Sequence, residues 1–224
     1  MKALILPVLL VCSLFLHAQN LPPYIPAAGL VGWWPFSGSA VDSSVNGNNG
    51  VVSNATLTTD RFGKANSAYY FNGSNSRIDI PDAASLRCRK ITMSVWVLNN
   101  NISEIGQIIY KGSLDAEGEA YTLSCVNQLA NTGFKQNSGC TPAIGWQGVT
   151  SKAPMLQGAW EHYVMTYNGA LLKLFRNGEL DTTIAIAGLI DSCIGGGLRF
   201  GFNHLRFSTS TGHPFNGLID DIGI

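Results

Sequence analysis

Charge is scarce in this 224-residue chain: Asp, Glu, Lys and Arg make up 12% of it, and 14 basic residues balance 14 acidic ones. A chain without a basic stripe has little with which to neutralise a phosphate backbone, so no nucleic acid partner is expected. Neutral, hydroxyl-rich ligands suit such a surface better than polyanions do. No apolar set recurs at helical spacing over three turns, and no repeat of solenoid or propeller length occurs. Cysteines at CxxC spacing are missing and the histidines are not closely paired, which removes the usual zinc motifs. After the first 18 residues no segment is long and apolar enough to span a bilayer.

The N-terminus does carry an apolar run. Met1-Lys2 precedes an almost wholly apolar Ala3 to Leu16, and Leu16-His17-Ala18 closes it. Residues 1–18 read as a secretory signal peptide, so a secreted or cell-surface protein is expected. Residues 19–28, with Pro22, Pro23 and Pro26, form an extended leader, and residues 29–224 a single domain of roughly 200 residues, large enough for a substantial core. Four cysteines survive removal of the leader peptide and allow three pairings. Cys125 and Cys140 flank a short hairpin-like segment, and Cys88 and Cys193 each precede an apolar strand; those two pairs are the expected disulfides.

The remainder reads as short strands separated by Gly and Asn turns. Leu30 to Phe36 is an aromatic strand apolar on both faces, with Pro35 suiting an edge or a strand end. Ile91 to Leu98 alternates cleanly, with neighbours at 107–111, 120–126 and near Phe134. Residues 137–154 read as loops with at most one strand. Asn168-Gly169 and Asn177-Gly178 lie between apolar runs, so residues 160–186 are expected as three consecutive antiparallel strands. The pattern is all-β, a two-sheet antiparallel sandwich of the jelly-roll kind.

Several stretches resemble the laminin-G-like jelly-roll modules of the concanavalin A-like lectin/glucanase superfamily, especially those of exported bacterial proteins. They are Gly29 to Phe36, Ala55 to Gly63, Tyr70 to Gly73, Met93 to Val97, Trp160 to Val164, Leu172 to Gly178 and Phe215 to Ile222, in the family's order. The resemblance implies two packed sheets with adjacent first and last strands, and a role in binding sugars or proteins. Family members usually continue beyond the motif at Asp220-Asp221-Ile222, so a chain ending at Ile224 is expected to be a fragment.

Three chemistries have candidate residues. Asp42, Asn46 and Asn48 lie on a loop that would meet Asp220 and Asp221 if the first and last strands are neighbours, and such a set suits a structural calcium ion (Ca2+). The same residue types also write an ordinary turn. Asp115, Glu117 and Glu119 have the parity of a glucanase carboxylate motif but sit in a glycine-flanked loop, so a glycoside hydrolase is disfavoured and no catalytic residue is assigned. Trp34, Trp96, Trp160 and Phe175 occupy apolar family positions and are expected in the core. Trp146 matches no such position; with Tyr110 and His204 it is the candidate carbohydrate platform, although a loop Trp pinned beneath its own loop is an equal alternative. The expectation is a non-catalytic module binding a polysaccharide or glycoconjugate, or alternatively an extracellular protein.

Overall fold

The computed structural model describes residues 21–112, 119–136, 145–193, 195–203 and 212–224. They form two antiparallel sheets, as the sequence pattern and the family resemblance imply. The first sheet runs β13 (Glu179–Ala185), β12 (Leu171–Arg176), β11 (Trp160–Tyr167), β6 (Ile91–Asn99), β15 (Asn216–Gly223), β4 (Ala68–Asn72) and β3 (Thr56–Thr58), with β1 (Trp33–Trp34) paired to β15 outside that path. The second runs β10 (Gly145–Thr150), β9 (Leu129–Gln136), β8 (Glu119–Val126), β7 (Gly106–Gly112), β14 (Leu198–Phe200), β5 (Arg77–Ile80) and β2 (Val51–Ser53).

Strand alternation places the core between the sheets. Val95, Val97, Tyr163, Met165 and Ile219 of the first sheet face Tyr121, Leu123, Phe134 and Phe200 of the second, all 2% exposed or less. Trp34 sits edge-on to Phe200 at 5.1 Å, and Phe36 edge-on to Tyr69 at 5.0 Å, so the aromatic opening strand anchors both layers. The hairpin signals act as read: Asn177 and Gly178 both take positive φ, 51° and 86°, and β11, β12 and β13 pair in series.

Four expectations need correction. The opening strand is only Trp33–Trp34, because Pro35 cannot donate and Phe36 turns to φ +50°. Trp96, Trp160 and Phe175 are half-buried on the outer face of the first sheet, not in the core; alternation around Val95, Glu161 and Leu174 turns them outward. Trp146 belongs to strand β10 and not to a loop. Cys88 and Cys125 are free thiols, so neither the Cys125–Cys140 nor the Cys88–Cys193 pair forms. Cys140 lies outside the described residues.

Candidate functional site

On the second sheet, residues directly opposite one another share a face. Phe134 points into the core and pairs with Gln147, so its neighbour Lys135 and that residue's partner Trp146 point outward. The same outward row contains Gly148 opposite Gly133, and Gly133 opposite Thr122. Both glycines lie against the Trp146 indole. A Cβ on Gly148 would stand 2.8 Å from Trp146 Nε1, and one on Gly133 would stand 2.9 Å from Trp146 Cζ2 and 2.2 Å from the Gln147 carbonyl oxygen. The ring therefore rests over a shelf that no larger residue could form, and remains 39% exposed. Beside it opens a groove of about 520 Å³ lined by Asn131, Gln147, Thr150, Thr182 and Ile184 along with Trp146. The groove lies where the edge strands β10 and β13 approach, and the Thr182 hydroxyl donates to the Thr150 carbonyl across that gap at 3.0 Å. An exposed indole beside amide and hydroxyl groups can stack on an apolar face and hydrogen-bond a polar rim at once.

The expected companions of Trp146 are elsewhere. Tyr110 is 4% exposed on β7, three strands away, about 14 Å at the usual strand spacing. His204 lies outside the described residues, as do Asp115 and Glu117; Glu119 opens β8. Asn131, Gln147, Thr150 and Thr182 complete the groove and had no signal in the sequence, since edge-strand polar residues look alike whether or not a groove lies beside them.

The Asp42 loop is a hydrogen-bonded staple. Asp42 Oδ1 accepts from the backbone N–H groups of Trp33 (2.9 Å) and Ser44 (2.8 Å), and Oδ2 from Ser44 Oγ (2.8 Å) and the Asn48 N–H (2.7 Å). Asn46 and Asn48 donate their amides to the Val31 carbonyl at 3.0 and 2.9 Å, and Trp34 Nε1 donates to the Asn48 carbonyl at 2.9 Å. Asp220 and Asp221 belong to another cluster: Arg61 reaches Asp220 at 2.5 Å and Asp221 at 2.7 Å. These residues do not fit a calcium ion as arranged, because four donors already occupy the Asp42 carboxylate and a guanidinium bridges the other two. Among the described residues no group of three or more His, Cys, Asp or Glu side chains could hold a metal.

Arg61 organises the outer face of the first sheet. Its guanidinium stands 4.6 Å from the Trp96 ring, which stacks on His162 at 4.8 Å. His162 Nε2 is 2.8 Å from Ser94 Oγ. Burial, helped by Arg61, lowers the His162 pKa, so the ring is neutral near pH 7. The Ser94–His162 pair thus packs as a polar anchor against the Trp96 ring.

Residues 72–224 match the family model Laminin_G_3, described as the concanavalin A-like lectin/glucanases superfamily. Comparison with curated proteins yields no match. Among solved structures, the chain is similar to domain 4 of AbnA, a GH43 extracellular arabinanase from Geobacillus stearothermophilus, in complex with arabinotriose. That likeness has TM-score 0.64 and 18% identity, over 87% of this chain and 90% of the other. The binding domain of Paraclostridial Mosquitocidal Protein 1 gives TM-score 0.64 and 17% identity, over 87% and 48%. The binding domain of botulinum neurotoxin DC, in complex with SialylT, gives 0.61 and 14%, over 88% and 48%. The chain thus spans about half the length of the two toxin domains. At such identities the likeness is one of fold. By its family model and its two antiparallel sheets, the chain belongs to the Laminin_G_3 family of concanavalin A-like jelly rolls.

Proposed function

We propose that this protein is an exported, non-catalytic carbohydrate-binding module whose sugar site is the groove beside Trp146. The observation that carries the reading is the indole held over Gly133 and Gly148 with one side open to solvent. Sugar rings present an apolar C–H face and a rim of hydroxyls; Trp146 suits the first, and Asn131, Gln147, Thr150 and Thr182 suit the second. Two similar structures were solved with arabinotriose and with SialylT, which makes neutral and sialylated oligosaccharides the first ligands to try. A shallow site of this kind binds weakly per copy and gains through multivalency.

Isothermal titration of the mature chain against arabinan, other neutral oligosaccharides and sialyllactose tests this. Binding to one class is expected, and Trp146→Ala should weaken it by about tenfold or more, equivalent to about 1.4 kcal/mol, without lowering the melting temperature. A wild-type chain that binds no glycan, or a Trp146→Ala chain that binds as well, rejects the proposal.

A second reading, a protein-adhesion module, draws on the outer face of the first sheet. There Tyr70, Leu218, Leu98 and Trp160 form one cross-strand apolar row. Absence of glycan binding, together with extracellular-protein binding abolished by Leu98→Asp, would favour it.

A further inference from the structure

The residues that line the Trp146 groove carry amides, hydroxyls and apolar groups, and no charged side chain. A carboxylate nevertheless stands at its rim. Thr182 pairs with Leu174 and Leu180 with Phe175, so Asp181 is the extra residue of a bulge in the β12–β13 ladder. Bulges re-aim the side chains they carry. This one brings Asp181 Oδ1 to the seam between the sheets, where it accepts from the Lys152 backbone N–H at 2.8 Å and lies 2.7 Å from Oγ1 of Thr182, a lining residue. Asp181 belongs to no ion pair among the described residues. Arg176 feels its charge but is bonded to Glu161, so the negative rim is not cancelled at its source.

The groove's own polar groups are suited to hydroxyls. The Asn131 and Gln147 amides make no hydrogen bond with another described residue, so each offers both donors and an acceptor. A sugar hydroxyl donates and accepts, and can use both. A ligand carboxylate only accepts, and taking it out of water calls for a cation in contact with it. Lys135 stands opposite Trp146 across the β9–β10 pair but is not one of the lining residues. An acidic sugar in this groove would therefore meet uncharged amides within it and the Asp181 charge at its edge.

We propose that Asp181 makes the Trp146 groove selective for neutral oligosaccharides by repelling those that carry a carboxylate. The proposal rests on the sugar reading of that groove and names the ligand class within it.

The test is isothermal titration of the whole mature chain with matched neutral and acidic ligands: lactose against sialyllactose, and arabinotriose against its carboxymethyl ether. The neutral member is expected to bind about tenfold more tightly at low salt. Asp181→Asn keeps the acceptor oxygen and removes the charge; it should leave neutral binding unchanged and strengthen binding of the acidic member about fivefold. Raising the salt from about 0.01 M to about 1 M shortens the screening length from about 30 Å to about 3 Å, and should produce the same gain in the wild type but not in Asp181→Asn. The salt series needs no variant, and the melting temperature of Asp181→Asn checks its fold. An acidic member that binds as tightly as its neutral parent, with Trp146→Ala abolishing both, overturns this proposal and leaves the sugar reading standing. So does a preference for the neutral member that neither Asp181→Asn nor salt alters. Binding of no glycan of either kind removes the sugar reading and this proposal with it.

Discussion

Replacing Asp220 with Asn should flatten the pH dependence of stability between about pH 4 and pH 7. Asp220 is 2% exposed, and Asp221 follows it in a left-handed conformation, φ +46°, where the β15–β6 register shifts. One guanidinium, that of Arg61, meets both carboxylates. Burial first, and the adjacent Asp221 charge second, push the Asp220 carboxyl up to about 7 from its ordinary 3.8, against the pull of Arg61. A carboxyl raised on folding binds its proton more tightly in the native state. Its contribution is therefore complete below the unfolded value and is lost as the pH climbs through the folded one. Some three pH units at about 1.4 kcal/mol each amount to about 4 kcal/mol lost between pH 4 and pH 7, and nothing further above. Urea unfolding of both proteins at half-unit pH steps measures this: the wild type should lose stability relative to Asp220→Asn across that window and run parallel above it. Asp82 acts in the opposite sense. Burial raises its pKa, but the hydrogen bonds from Arg87 and Lys111 outweigh that, so its contribution is present above its ordinary pKa and lost in acid. It is common to both proteins and cancels in the difference. Parallel curves from pH 4 to pH 8 would refute the reasoning, because they would mean that Asp220 is ionised throughout.

Asp42→Ala should destabilise the protein by about 3 kcal/mol, since it orphans the buried N–H groups of Trp33 and Asn48; added calcium should leave the wild-type melting temperature unchanged under differential scanning fluorimetry. Cys125 is buried, and burial pushes the Cys88 thiol up to about 11, so Ellman's reagent at pH 8 should react slowly with the native protein and find both thiols after denaturation. Gly133→Ala should cost several kcal/mol in chemical denaturation, since its Cβ would strike the Gln147 carbonyl across the β9–β10 pair, and should weaken any Trp146-dependent binding as well.

Much of the fold was legible because local chemistry and global pairing agree. Asn177-Gly178 announces its hairpin since few other dipeptides tolerate two positive φ values, and the alternation from Ile91 to Leu98 orients β6 correctly. What misled was apolar character on both faces of a strand. Trp96, Trp160 and Phe175 look like core residues until their buried strand neighbours Val95, Glu161 and Leu174 fix which face is inside. The converse holds for Lys111, which faces the interior, is fully buried, and bonds Asp82 at 3.0 Å and the Gly196 carbonyl at 2.6 Å. β10 was hidden for a different reason: two glycines in six residues read as loop, yet one of them provides part of the shelf for Trp146. Trp146 itself could be picked out because it fitted no core position, whereas its groove partners come from three strands and become neighbours only on folding. The Asp42 loop shows the limit of composition, since oxygen-rich residues serve a backbone as readily as a cation.

The pairing of β1 with β15 has a mechanical consequence. Trp33 lies opposite Gly223, and the Val31 and Gly32 N–H groups reach the Ile224 carbonyl at 2.7 and 3.2 Å, so the two ends of the folded body leave at the same point. A tether drawing those ends apart would load these hydrogen bonds one after another, as a zipper is loaded, rather than in parallel shear. The two-residue opening strand would yield first. The Asp42 carboxylate, which grips the Trp33 N–H from the side, would be the latch that sets the force at which the domain begins to open.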